Sequence, residues 1–135
     1  MNYMFETEKT VNFSASRRFS SLGDDKALSK CHGHDFEVIV VLGSNALDHT
    51  GVIFEYGVIE ALISRRYNNT NLNDVILDTD PTNEAIAVDI YDKFYHTVLK
   101  NLNDGTPDED KVKVIKISVR GGKDFVAHFY PKGPQ

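Results

Sequence analysis

The sequence has a single cysteine, Cys31, so no disulfide bond can form within the chain of 135 residues. It has no excess of basic residues: the formal net charge is -5, which argues against a nucleic-acid-binding face or a polybasic membrane surface. No stretch approaches the roughly 20 apolar residues of a membrane-spanning helix, and the N-terminus has no apolar core of signal-peptide type. These absences predict a cytoplasmic protein without a nucleic-acid or membrane partner.

The remaining composition is that of an ordinary globular domain. Hydrophobic residues make up 41% of the chain and charged residues 26%. The length suits one hydrophobic core, and no repeat, linker or change of composition divides the chain. We therefore expect a single domain over residues 1–135.

Hydrophobic periodicity predicts four strands and two helices in the order β-β-α-α-β-β. The alternation of the third strand slips between Val114 and Ile115, which predicts a β-bulge there. The predicted elements are strands over residues 3–16 and 34–43, helices over 58–67 and 81–102, and strands over 112–119 and 124–130.

The start of the longer helix carries several local signals. Pro81 suits its first turn, and either Asp80 or Thr82 can cap it. Glu84 complements the positive end of the helix dipole. An apolar stripe then runs along this helix, with Ile86, Ile90, Phe94 and Val98 on the stripe and Tyr91, Tyr95 and Leu102 beside it.

The order of elements predicts an α+β fold. Four strands that pair antiparallel form one sheet, and both helices cover the same face of it. The other face is then left uncovered. Because a sheet with one uncovered face tends to associate, we expect a homo-oligomer.

Two histidines at the start of the second strand are candidates for a metal site. His32 and His34 are two residues apart, so in an extended strand their rings lie on the same side. Zinc needs three protein ligands in a catalytic site and four in a structural one, and this pair supplies two. Two half-exposed histidines without a metal are the alternative. Cys31 points to the opposite side, where a partly buried small residue is favoured over a metal ligand or a nucleophile.

Four short motifs resemble one known family. They are FSAS at residues 13–16, HGHDF at 32–36, GVIFEY at 51–56 and LNDVILDTDPTNEA at 72–85. In this order they are similar to the 6-pyruvoyl-tetrahydropterin synthases, a family that includes the bacterial 6-carboxy-tetrahydropterin synthases of the QueD type. The resemblance covers nearly the whole chain and implies the tunnelling fold (T-fold).

The resemblance also implies a function. Family members eliminate the triphosphate of dihydroneopterin triphosphate and rearrange or cleave its side chain. Zinc held by three histidines acidifies the side-chain hydroxyls, a cysteine assisted by an aspartate–histidine pair moves protons, and a late glutamate holds the pterin ring. Subunits form trimeric barrels that stack into hexamers, with sites between subunits.

The sequence departs from the family pattern at four functional positions. Each departure removes a group that the family chemistry needs, because no replacement can ligate zinc or move a proton in the same way. They are Arg17 for the first zinc histidine, Leu28 for the cysteine, Asn68 and Asn69 for the aspartate–histidine pair, and Gly121 for the late glutamate.

The matching residues leave a reduced candidate site. His32 and His34 are the metal ligands if a metal binds, and Thr82 and Glu84 match the ligand-binding motif. Arg17 is a fixed cation that favours a phosphate or carboxylate and repels zinc, which argues against a tightly bound metal.

Several functions stay open at this point. We expect a member that does not run the zinc-dependent elimination. The alternatives are a pterin-pathway lyase with a rearranged site that uses Cys31, His32 or His34, and a non-catalytic oligomer that binds a pterin- or purine-like molecule or acts as a scaffold.

Overall fold

The computed structural model describes residues 3–20, 31–122, 124–133 and 135, so Leu28 lies outside the described residues. The chain forms an α+β fold with its helices on one face of one sheet, as predicted. The elements are β1 (Phe5–Arg17), β2 (His32–Ser44), α1 (Tyr56–Tyr67), β3 (Thr70–Asn71), α2 (Asn83–Phe94), β4 (Lys113–Gly121) and β5 (Val126–Phe129).

The sheet of the described chain has five strands rather than the predicted four, in the order β3-β1-β2-β4-β5. The long strands pair antiparallel as expected, whereas β3 pairs parallel with β1 through Ala15 and Ser16. This strand of two residues is too short to show any periodicity. Asn69 brings it alongside β1: its φ of 59° turns the chain, and its N–H donates to Ser14 O at 2.6 Å.

Helix α2 begins one residue after its cap. Thr82 is the N-cap, because its Oγ1 accepts a hydrogen bond from Ala85 N at 3.0 Å. The prediction that Pro81 lies in the first turn is wrong, since Pro81 precedes the cap. Asp80 accepts hydrogen bonds from the backbone and hydroxyl of Ser20 instead of capping the helix.

The predicted apolar stripe of α2 shifts near its end. Residues Tyr95–Leu99 form a π-helical turn, after which Lys100–Leu102 are α-helical again. A π turn holds an extra residue, so it moves the following side chains around the axis. Leu99 is therefore buried in the core, and Leu102, predicted beside the stripe, is 47% exposed.

The third long strand contains the predicted bulge. Val41 pairs with Lys116 and Leu42 pairs with Val114, so Ile115 has no partner on β2. One extra residue on β4 lets its two halves both direct apolar side chains toward the helices. Val114 and Ile117 accordingly both lie in the core, although they are three positions apart and regular alternation would place them on opposite faces.

The helix-facing side of the sheet forms the core. Phe13 and Phe36 stack there with ring centroids 4.8 Å apart, and Tyr67 of α1 packs against Phe13. The buried Tyr67 hydroxyl donates to Asp89 Oδ2 of α2 at 2.6 Å, which ties the two helices together. Burial and the Asp89 carboxylate raise the pKa of Tyr67.

The opposite side of the sheet is polar. Glu8, Asn12 and Arg120 are exposed on it, and no described element packs over it. An uncovered face with these charges does not attract a partner through apolar contacts alone. No helix among the described residues is long and apolar enough to span a membrane.

Candidate functional site

Arg17 lies at the end of β1, opposite His32 of β2, on the helix-facing side of the sheet. It is only 5% exposed. Its Nη1 donates to Pro81 O at 3.0 Å and to Asn83 Oδ1 at 2.8 Å, and its Nη2 donates to Gly121 O at 3.4 Å. One guanidinium group therefore joins the end of β1, the start of α2 and the end of β4.

Two aromatic rings complete the surroundings of this guanidinium. Its central carbon lies 4.9 Å from the ring centroids of both Phe19 and Phe36, within the range of a cation–π interaction. Burial lowers the pKa of Arg17 to about 10, although the nearby Glu84 carboxylate opposes this shift. Arg17 thus stays charged at neutral pH, and its Nε is buried without a hydrogen-bond partner among the described residues.

The two histidine rings lie side by side, as their spacing predicts. The centroids of His32 and His34 are 4.5 Å apart with the rings edge to face. Burial, followed by the charge of Arg17 and the proximity of His32, lowers the pKa of His34. Near neutral pH His34 is therefore a neutral ring beside a fixed cation. Cys31 is exposed just before the strand.

A cavity of about 320 Å³ opens beside the guanidinium. It brings together the three residues that the sequence proposes for ligand binding, Arg17, Thr82 and Glu84, but neither histidine nor Cys31 lines it. Besides Val126 and Ala127 of β5, sequence reasoning missed three further lining residues, because an asparagine after a cap and two loop phenylalanines carry no periodic signal. They are Phe19, Asn83 and Phe125.

Comparison with known proteins identifies the family. The family model for 6-pyruvoyl tetrahydropterin synthase matches residues 6–130, which is nearly the whole chain. The chain belongs to the 6-pyruvoyl tetrahydropterin synthase family. The family relationship inferred from the four motifs is therefore confirmed.

A curated relative and two solved structures agree with this assignment. Over 96 residues the chain is 32% identical to 6-carboxy-5,6,7,8-tetrahydropterin synthase of Bacillus subtilis, a match that spans 67% of this chain and 65% of that protein. The 6-pyruvoyl tetrahydropterin synthase of Caenorhabditis elegans superposes with a TM-score of 0.68 at 19% identity, covering 98% of this chain and 100% of that one. An uncharacterized protein of Wolinella succinogenes superposes with a TM-score of 0.69 at 16% identity, covering 95% of this chain and 98% of that one. These two structures confirm the T-fold.

The zinc site that the family resemblance implies does not fit this set of side chains. Arg17 has no lone pair to offer, and it places a positive charge beside His32 and His34. Within the described ranges no group of three histidine, cysteine, aspartate or glutamate residues is positioned to hold a metal ion. The two histidines alone fall short of the three protein ligands of a catalytic zinc site.

Gly121, which the resemblance matches to the family's late glutamate, is tightly surrounded. A Cβ built on Gly121 comes within 2.6 Å of the Phe36 ring and 2.7 Å of Asn83 Oδ1. Asn83 in turn donates through Nδ2 to Gly121 O at 3.2 Å. The backbone and its neighbours therefore leave no room for a side chain that reaches a pterin ring from this position.

The two asparagines that the resemblance matches to the family's aspartate–histidine pair have structural contacts. Asn68 Oδ1 accepts a hydrogen bond from Ser14 N at 2.9 Å, and Asn69 holds the left-handed turn described above. Asparagine tolerates this conformation better than most residues. Both residues fasten the end of α1 to the edge of β1.

Replacing the cap residue tests how Thr82 contributes to the fold. We expect Thr82→Ala to lower the free energy of unfolding by about 1 kcal/mol, because Ala85 N loses its acceptor. Urea denaturation followed by circular dichroism measures this difference. Thr82→Ser keeps the hydroxyl and serves as the control, and an unchanged stability in the alanine variant would contradict the capping role.

Proposed function

We propose that this chain does not catalyse the zinc-dependent elimination of its family and instead binds a pterin- or purine-like molecule without a metal. The observation that carries the proposal is Arg17, which stands at the position of a zinc-ligating histidine and is bonded to acceptors of three separate elements. A side chain held in this way cannot swing aside to admit a metal ion without breaking the contacts that join those elements.

The proton-transfer groups are missing as well. Asn68 and Asn69 do not titrate, and their contacts with Ser14 are structural. Cys31 is exposed just before β2, and its side chain does not line the cavity. Because removing one general acid or base typically costs about 10²–10⁴ in rate, the joint loss leaves little of the family reaction.

The cavity nevertheless has features that suit a planar heterocycle. Phe125 is 71% exposed at its mouth and can pack against a ring. The Glu84 carboxylate can accept hydrogen bonds from a donor edge, while Thr82 offers a hydroxyl. Without the late glutamate, affinity for a pterin is expected to be about 2–3 kcal/mol weaker than in a site that has it.

We further propose that the protein is a cytoplasmic homo-oligomer, a trimer or a hexamer. Within the described chain, β5 pairs only with β4, and most of the outer edge of β1 lacks a partner because β3 covers two residues of it. Two open edges on one sheet favour strand pairing between copies until a ring closes. A lone exposed cysteine suits a reducing compartment.

Metal content and turnover test the proposal together. The protein is purified without a chelator or a histidine tag, zinc is measured by mass spectrometry, and dihydroneopterin triphosphate is added while phosphate release and product fluorescence are followed. We expect zinc well below one ion per chain and no turnover at ordinary enzyme rates.

Two outcomes would overturn the proposal. One is near-stoichiometric zinc that disappears in a His32→Ala/His34→Ala variant, and the other is turnover that the same variant abolishes. A thermal-shift screen with pterins, purines and nucleotides then tests the binding half, because a ligand of the native state raises Tm. If none of these compounds raised Tm, the proposed binding would be contradicted.

A further inference from the structure

A second pocket lies on the face of the sheet that is turned away from the helices. Its volume is about 230 Å³, and four neighbouring strands contribute to it. Of its lining residues, Val126 also lines the cavity beside Arg17, and the charged and polar ones do not. Its lining residues are Glu8 of β1, Glu37 and Ile39 of β2, Lys116, Ser118 and Arg120 of β4, and Val126 and His128 of β5.

The β4 side of this pocket is built from donors. Ser118 is 5% exposed, and its Oγ lies 2.6 Å from Nδ1 of His128, its cross-strand partner. Lys116 and Arg120 flank it on the same side of the strand at roughly 7 Å each, so both long side chains can reach the space above it. Among the described residues neither cation forms an ion pair.

The β1 and β2 side of the pocket is negative. Glu37 lies directly across the ladder from Arg120, and Glu8 belongs to the strand beyond it. Neither carboxylate is within ion-pair distance of a cation in the described part of the chain. The pocket therefore has charged groups of both signs, and none of them forms an ion pair within the described part of the chain.

We propose that this pocket binds a small zwitterion that carries a phosphate and a primary ammonium group. Lys116, Arg120 and the Ser118–His128 pair surround the phosphate, whose oxygens match this set of donors. The ammonium group lies over β2, where Glu37 accepts from it. Neighbouring strands are about 4.8 Å apart, so a two-carbon linker between the charged groups spans the distance.

This inference does not depend on the proposed function of the first cavity. When copies of the sheet pair edge to edge into a closed barrel, the face that is turned away from the helices lines the interior of the barrel. Small molecules can still reach this face. The pocket has cations on one side and carboxylates on the other, so a ligand needs both a phosphate and an ammonium group to compensate them. A phosphate alone leaves the carboxylates uncompensated and is repelled by them, and an amine alone is repelled by the cations.

Calorimetric titration of the intact protein with O-phosphoethanolamine tests the proposal, with inorganic phosphate and ethanolamine as separate probes. We expect binding of O-phosphoethanolamine and affinities at least about tenfold weaker for each half. Arg120→Ala is expected to weaken binding about tenfold or more. Arg18→Ala removes the same charge from an exposed residue outside the pocket and leaves the affinity unchanged.

Three results would overturn this inference. They are no binding of O-phosphoethanolamine, equal binding of inorganic phosphate alone, and equal loss of affinity in the two arginine variants. Vesicles that contain phosphatidylethanolamine separate a free ligand from a lipid headgroup. Sedimentation with these vesicles but no binding of the soluble compound would also count against a pocket for small molecules.

Discussion

Arg17→Ala is expected to lower the free energy of unfolding by about 3–5 kcal/mol. The substitution removes the donor for Pro81 O and for Asn83 Oδ1, which are left buried without it. It also empties the space between Phe19 and Phe36 and removes both cation–π contacts. Urea unfolding monitored by circular dichroism gives the difference directly.

The neighbouring arginine provides a matched control. Arg18 is exposed, and its backbone rather than its side chain contacts Asn73, so Arg18→Ala is expected to change stability by no more than about 0.5 kcal/mol. Arg17→Lys keeps the charge but loses the planar fork, and we expect an intermediate stability. If Arg17→Ala and Arg18→Ala proved equally stable, Arg17 would not join the three elements in the way described.

Sequence reasoning was most successful where a pattern repeats along the chain. Alternation and a run of β-branched residues predicted the long strands, the slip at Val114 and Ile115 predicted the bulge, and the spacing of His32 and His34 predicted their adjacent rings. Each of these follows from a local period that the backbone must obey. The family resemblance rested on motifs of the same local kind.

Features set by contacts distant in sequence could not be predicted in this way. The short strand β3 depends on one asparagine in a left-handed conformation. The π turn at Tyr95–Leu99 contains no glycine or proline that would indicate it in the sequence. The partners of Arg17 lie 64 to 104 residues away along the chain. Only the folded structure shows that the Arg17 guanidinium already donates hydrogen bonds to acceptors of the protein.

The contacts of Arg17 and the packing of Gly121 belong to one arrangement. Asn83 accepts from Arg17 and donates to Gly121 O, while Phe36 lies against both residues. The two positions that the resemblance matches to a zinc ligand and to a pterin-holding carboxylate are therefore packed into one cluster. Replacing Arg17 by histidine or Gly121 by glutamate alone is expected to disrupt this packed cluster rather than to restore the family site.

Gly121→Glu is the sharpest test of that view, and we expect it to lower the free energy of unfolding by about 3–5 kcal/mol. The first side-chain carbon would already overlap the Phe36 ring and Asn83 Oδ1. Gly121→Ala is therefore expected to lower the free energy of unfolding by a large part of the same amount. Gly33→Ala is the control, since no atom lies within 4 Å of its Cβ position, and its effect is expected within about 1 kcal/mol. A stable Gly121→Glu protein that gains affinity for tetrahydropterins would show instead that the family pocket is intact and lacks only its carboxylate.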